Sequence, residues 1–293
     1  MKHCTLLAIL LSGLLSAAVE TDFSYADQGA WQTLPNSQCG GRRQSPVDLD
    51  LRNVTVDKIL GQDLACTWQQ NKAVIEGDLV NTGRTIELDV RSPHTCRGVP
   101  GSPSAHFRLA AVHIHYGSAS DQGSEHTING RTSALEVHMV HFDTRFASLD
   151  KAREQPGGIM VAGLLFDEAD EAIANPELTK MAVISGTALR STGGVLASRL
   201  NAAPLIEGTG LDKARARFLT YAGSLTTPTC NEVVTWIVAA EPGLVGHQTM
   251  HLLRTVTGLG NKTISPNFRQ VQPLNGRTIT SSFQPACGLH GRC

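Results

Sequence analysis

Val112-His113-Ile114-His115-Tyr116-Gly117 and Leu135-Glu136-Val137-His138-Met139-Val140 are two short apolar, β-branched runs, and three histidines fall on them. Runs of this kind read as strands. Side chains alternate faces along a strand, so His113 and His115 point the same way. His138 can meet them if the two strands are neighbours. Three neutral imidazoles with no fourth protein ligand are the pattern of a catalytic zinc site that keeps one position open for water.

Composition bounds this reading. The 293 residues are 41% hydrophobic and 17% charged, which fits one large or two small globular domains. Formal net charge is −1 and no basic stripe is visible, so nucleic acid is not an expected partner. Met1-Lys2-His3-Cys4, the apolar run 5–15 and the small residues Ser16-Ala17-Ala18 read as a secretory signal peptide over 1–18, cleaved after Ala18. That run is too short to span a bilayer, and no later stretch is long and apolar enough. The expectation is a soluble, secreted, extracellular protein with no transmembrane segment. Its single domain covers 19–285, and 286–293 form a short Cys-containing tail.

Setting Cys4 aside with the signal peptide leaves Cys39, Cys66, Cys96, Cys230, Cys287 and Cys293. An even number in an oxidising compartment argues for disulfides, but six cysteines allow about 15 pairings and spacing cannot choose among them. Asn53-Val54-Thr55 and Asn261-Lys262-Thr263 are glycosylation sequons, which agrees with secretion.

No repeat, low-complexity tract or charge block divides the chain. Strand-like runs cover 79–90, 107–116, 134–142, 158–166 and 232–239, and helix-like stretches cover 176–189, 211–219 and 244–255. An α+β, sheet-dominated domain with peripheral helices is expected. Residues 91–106, rich in Pro, Ser and Gly, read as a loop. His247-Gln248-Thr249-Met250-His251 mimics a zincin motif, but Gln248 stands where the catalytic Glu is needed, so it reads as a solvated helix face. His141 points away from His138 and reads as a core histidine, and His126 reads as structural.

Three further segments accompany the histidines. Gly117-Ser118-Ala119-Ser120-Asp121-Gln122-Gly123-Ser124-Glu125-His126-Thr127 follows the first pair, and Gly223-Ser224-Leu225-Thr226-Thr227-Pro228 comes later with Val234-Thr235-Trp236 close behind. Arg43-Gln44-Ser45-Pro46-Val47-Asp48 lies near the start. In this order and spacing, from Phe23 to Phe283, the chain resembles the α-class carbonic anhydrases.

The resemblance implies a twisted, mostly antiparallel sheet of about ten strands with Zn2+ at the base of a conical cavity. It makes His113, His115 and His138 the zinc ligands, with Glu136 and Asn267 in the shell behind them. Thr226 is implied to accept a hydrogen bond from zinc-bound hydroxide and to donate one to a buried carboxylate, Glu125. Thr227 lines the same pocket, and Val140, Val161, Leu225, Val234 and Trp236 make a dry wall for carbon dioxide. The implied reaction is reversible hydration of carbon dioxide to bicarbonate and a proton by zinc-hydroxide attack. Primary sulfonamides are the expected inhibitors, because their anion can replace hydroxide while its NH donates to Thr226. The alternatives are a secreted, non-catalytic relative used for binding and a mineral-matrix protein. Non-catalytic relatives typically lose a ligand histidine, and none is missing here.

Secreted members of the family join segments matching Cys39 and Cys230. Cys66–Cys96 and Cys287–Cys293 are then the simplest remaining pairs. Three departures stand out. The proton-shuttle histidine of the family is replaced by Arg84 in Asn81-Thr82-Gly83-Arg84, and a guanidinium stays protonated at neutral pH. Glu87 matches a cavity-lining site but is a poor relay at pH 7 unless its pKa is raised. The glutamine that usually supports the first zinc histidine is Ala111, which leaves His113 without a side-chain anchor unless water or another group substitutes. Finally, Thr229 replaces a proline after Pro228, which argues against a cis bond there, whereas Ser45-Pro46 is a good cis candidate.

Overall fold

The computed structural model describes residues 23–286, so the signal peptide and the Cys287–Cys293 pairing lie outside the described residues. Ten strands cross the main sheet in one path. Their order is Val195–Asn201, Val74–Asn81, Ile86–Val90, Phe107–Tyr116, Leu135–Asp143, Ile159–Ala169, Val234–Ala239, Phe218–Gly223, Ile279–Ser281 and Val54–Val56. Gly243–Gly246, Ala65–Cys66 and Thr95–Arg97 attach beside this path and bring the sheet to 13 strands among the described residues.

The sheet is mixed: antiparallel pairings predominate, as expected, but parallel ones also occur. Ile159–Ala169 runs parallel to both Val234–Ala239 and Gly243–Gly246, and Ile279–Ser281 runs parallel to Val54–Val56. Parallel neighbours need a long crossover between them. The chain between residues 169 and 234 supplies one, with the helix Pro176–Thr187 on its way.

Central strands bury both faces. Val112, Ile114, Tyr116, Val137 and Met139 enter a large apolar cluster on one side. The helices Pro176–Thr187 and His247–Arg254 cover that cluster with Leu178, Met181, Met250 and Leu253. Pro176–Thr187 starts where its sequence dictates, since Asn175 Oδ1 accepts from the Glu177 and Leu178 N–H groups and Pro176 needs no such partner. On the opposite face Ala111, Val140, Val161 and Trp236 form a second cluster, and that face carries the three histidines.

Three local expectations change. The run 79–90 is two strands around the turn at 82–85, and 91–106 contains the short strand Thr95–Arg97. Residues 211–217 form turns and irregular chain, not a helix. There Asp212 accepts from the Gly208 and Gly210 N–H groups, and this local bonding competes with a helix. Phe218 and Leu219, both buried, pair with Ala239 and Val238 instead.

Candidate metal centre

Strand register builds the site. Phe107–Tyr116 and Leu135–Asp143 are antiparallel neighbours, with His113 opposite His138 and His115 opposite Glu136. One face of the pair thus carries three imidazoles and a carboxylate in a rectangle. The ring centroids of His113, His115 and His138 lie 4.6 to 5.2 Å apart. One ring nitrogen of each lies within 4.8 Å of the others.

The outer bonds of two rings fix their tautomers. His115 Nδ1 lies 2.7 Å from the Asn267 carbonyl oxygen, which can only accept. The proton is therefore on Nδ1, and Nε2 keeps a bare lone pair, buried and without a partner. His138 Nε2 donates to Glu136 Oε1 at 2.8 Å, which leaves Nδ1 bare. Burial, reinforced by the neighbouring imidazoles, holds His115 well below its ordinary pKa. Burial likewise lowers His138 to about 4, against the opposing pull of Glu136. Both rings are neutral at pH 7. Bare, converging lone pairs on neutral imidazoles are what a divalent metal of zinc type needs, so the residues fit the ion.

Glu136 is fully buried and takes four donors. Oε2 accepts the Glu125 and His126 N–H groups, and Oε1 accepts His126 Nδ1 and His138 Nε2. Burial pushes its carboxyl up, but His126 and His138 outweigh that and hold it well below the usual range. Glu125 behaves oppositely. Burial and then the Glu136 charge push it well above its ordinary value, against the Thr226 hydroxyl and the Arg269 N–H. Arg269 N donates to Glu125 Oε1 at 2.8 Å, while Oε2 has no well-aligned partner. A divalent cation at the histidines favours the ionised carboxylate.

Thr226 and Thr227 sit on the loop that follows strand Phe218–Gly223. Gly223 permits the approach of its neighbours there, since a Cβ would meet the Ser45 hydroxyl and lie 2.8 Å from the Trp236 ring. The loop is tied down by the Cys39–Cys230 disulfide, by Gln38 N donating to the Thr229 carbonyl, and by Gln44 Nε2 donating to that of Cys230. Cys66 and Cys96 form the second bridge. The Pro228–Thr229 peptide is cis, contrary to the expectation from Thr229, and Ser45–Pro46 is cis as expected. Thr229 is held there by its side-chain bond to Asn231 and its carbonyl bond to Gln38.

The histidines open into a cavity of about 450 Å³. Val140, Val161, Leu225 and Trp236 line one part of it, with Thr226 and Thr227. Val234 does not reach the cavity, which corrects its assignment to the wall. It packs in the apolar cluster with Val161 and Trp236, paired in register with Ile159 and Gly223. Arg84 lines the mouth, its guanidinium 4.4 Å from the centroid of the Phe23 ring, and Arg153 lies on the same cavity. Glu87 faces in from the neighbouring strand, opposite His113 in register. Burial pushes its carboxyl up, but His113 and Arg153 outweigh that and hold it below its ordinary value. Asn53 and Asn261 are both exposed on the surface.

Sequence reasoning missed several supports. His126, set aside as structural, bonds Glu136 on one side and the Tyr221 hydroxyl, 2.7 Å away, on the other. Arg269 donates to Gln44 Oε1 and to the Ser45 and Cys39 carbonyls, joining the N-terminal turn to Glu125. A spacing of two from Asn267 on one extended segment was the available signal for Arg269. Tyr25 and Phe23 reach the cavity from the N-terminal segment, a placement no periodicity records. His141 stays in the core, accepting from Trp68 Nε1 and donating to the Met139 carbonyl.

The chain is similar in sequence to known proteins along most of its length. Residues 26–283 match the sequence profile of the eukaryotic-type carbonic anhydrases. Carbonic anhydrase 15 of Mus musculus is 34% identical over 266 residues, covering 86% of this chain and 78% of the relative. Carbonic anhydrase 6 of Canis lupus familiaris is 33% identical over 248 residues, covering 84% and 74%. With the sheet, the histidine cluster and the Thr226 loop in the same frame, the chain belongs to the eukaryotic-type carbonic anhydrase family and is an enzyme of that family.

Proposed function

We propose that this protein catalyses the reversible hydration of carbon dioxide to bicarbonate and a proton, with Zn2+ held by His113, His115 and His138. The observation that carries the reading is the convergence of bare imidazole lone pairs beside Thr226 and an apolar wall in one cavity. When bound, zinc supplies a Lewis-acid charge that brings the ionisation of a water near pH 7, a value characteristic of carbonic anhydrases and borrowed from them. Neutral imidazole ligands leave that charge undiminished, whereas thiolates would cancel it.

The remaining work falls to the side chains. The Thr226 hydroxyl acts on Glu125 as a hydrogen-bond donor, which leaves its oxygen as an acceptor toward the cavity. An attacking hydroxide, keeping its proton, would then donate a hydrogen bond to the Thr226 oxygen, so its lone pair faces the substrate. Val140, Val161, Leu225 and Trp236 exclude water from the place where apolar carbon dioxide waits. The oxygen attacks the carbon, one C=O π pair moves to oxygen, and bicarbonate forms. Thr226 and Thr227 discriminate for hydrogen-bonding anions at the same place, which is why primary sulfonamides should compete.

The two disulfides fit an oxidising compartment, and no helix among the described residues is long and apolar enough to cross a membrane. Secretion after cleavage at Ala18, one catalytic domain over 19–285, and glycosylation of exposed Asn53 and Asn261 complete the reading. The test is zinc content and carbon dioxide hydration of the purified mature protein. One zinc per chain and activity lost in His138→Ala support it; a wild type no faster than His138→Ala sinks it.

A further inference from the structure

His113 differs from the other two histidines of the cluster. His115 is tied to a backbone carbonyl and His138 to Glu136, each at hydrogen-bond distance. Ala111, two residues before His113 on the same strand face, has no polar atom to offer its ring. Yet a ring whose second nitrogen is unbound is free to flip or to change tautomer, and either would misdirect the lone pair. His113 Nδ1 is buried and lacks a well-aligned hydrogen-bond partner. Glu87 Oε2 lies 3.3 Å from it.

We propose that Glu87 is the positioning residue of His113 and replaces, from the neighbouring strand, the anchor that Ala111 cannot supply. This rests on the reading of His113, His115 and His138 as the zinc site. Register makes the contact specific. Glu87 and His113 are direct cross-strand partners, and Asp89 and Ala111 are the next pair on the same face. A carboxylate directly across the ladder can therefore reach the ring nitrogen that a longer side chain at position 111 could reach along its own strand. With Nδ1–H held by a carboxylate, Nε2 keeps the lone pair and turns toward His115 and His138. The present contact, 3.3 Å, is long for a hydrogen bond to a carboxylate. Polar contacts at catalytic sites often tighten only when the site is loaded.

Zinc release into excess chelator tests this without reference to turnover. Wild type, Glu87→Ala, Glu87→Gln and the double variant Glu87→Ala/Ala111→Gln are loaded with zinc, and the rate of metal loss is followed at pH 7.5. Glu87→Ala should lose zinc about 10–100-fold faster, the order by which removing such a support typically weakens metal binding. Glu87→Gln should stay within a few-fold of wild type, because its amide oxygen still accepts. Adding Gln at position 111 to Glu87→Ala should recover most of the loss, which a general folding defect would not allow. Equal release from wild type and Glu87→Ala overturns the proposal while leaving the zinc site standing. So does a double variant no slower than Glu87→Ala. A wild type that takes up no zinc overturns both the site and this inference.

Discussion

His138 Nε2 and Glu136 Oε1, two positions apart on one strand, are joined by a buried 2.8 Å hydrogen bond. The same carboxylate accepts His126 and two backbone N–H groups, so one side chain fixes a candidate ligand and closes the loop before it. Removing it strands four buried donors. Glu136→Ala should therefore lower stability by more than about 3 kcal/mol, read from urea unfolding of the metal-free protein. A shift under about 1 kcal/mol would show that water replaces the carboxylate at little cost.

Thr226 is expected to orient and not to bind metal. Thr226→Ala should lower kcat/KM by about 100-fold, the order of loss for a misaimed reactant, while zinc content stays at one per chain. Sulfonamide affinity should fall in the same variant. Thr226→Ser, which keeps the hydroxyl, should restore most of both.

Arg84 stands at the cavity mouth where the family usually places an imidazole, and a guanidinium cannot pass protons at neutral pH. Every turnover must still deliver one proton to bulk solvent. In weak buffer kcat should be limited by that release and rise with added imidazole, while kcat/KM stays nearly constant. Arg84→His should raise kcat under the same conditions. If neither intervention moves kcat, another relay exists or chemistry is limiting.

The Cys39–Cys230 bridge closes a loop of sequence separation 191 and braces the segment bearing Thr226 and Thr227. Replacing both cysteines by serine should cost about 2–5 kcal/mol of stability. Peptide mapping without reductant should recover Cys39 linked to Cys230 and Cys66 linked to Cys96. Either cysteine of the first pair found free or linked elsewhere contradicts the arrangement.

His141 makes the fold acid-sensitive. Burial lowers its pKa from 6.5 to about 3, and its two hydrogen bonds suit the neutral ring. Above pH 6.5 neither folded nor unfolded chain protonates it, and its contribution is intact. Below that the unfolded chain takes up a proton the folded chain refuses, so stability is lost as pH falls from 6.5 toward 3. Urea midpoints at pH 7, 5.5 and 4.5 should drop less steeply for His141→Gln than for wild type. Parallel slopes would mean the ring titrates normally inside the fold.

The sequence by itself singled out the candidate site residues. His113, His115 and His138 were legible because strand alternation puts residues two apart on one face, and Glu136 because the same rule sets it beside His138. The Thr226 segment and the departures at Arg84 and Ala111 were legible through likeness to a family whose motifs keep their order along the chain. Tertiary structure alone decided what comes from across the sheet. That Glu87 faces His113 follows from pairing register, which a strand's own periodicity leaves open. That Val234 stays in the packed cluster while Trp236 lines the cavity depends on depth along one strand, and both positions are apolar and on the same face. The parallel pairing of Ile159–Ala169 with Val234–Ala239 and the reach of Arg269 to Gln44, Ser45 and Cys39 join residues far apart in sequence. Such contacts are set by how crossovers fold back over the sheet, a property of the whole chain that no local window contains.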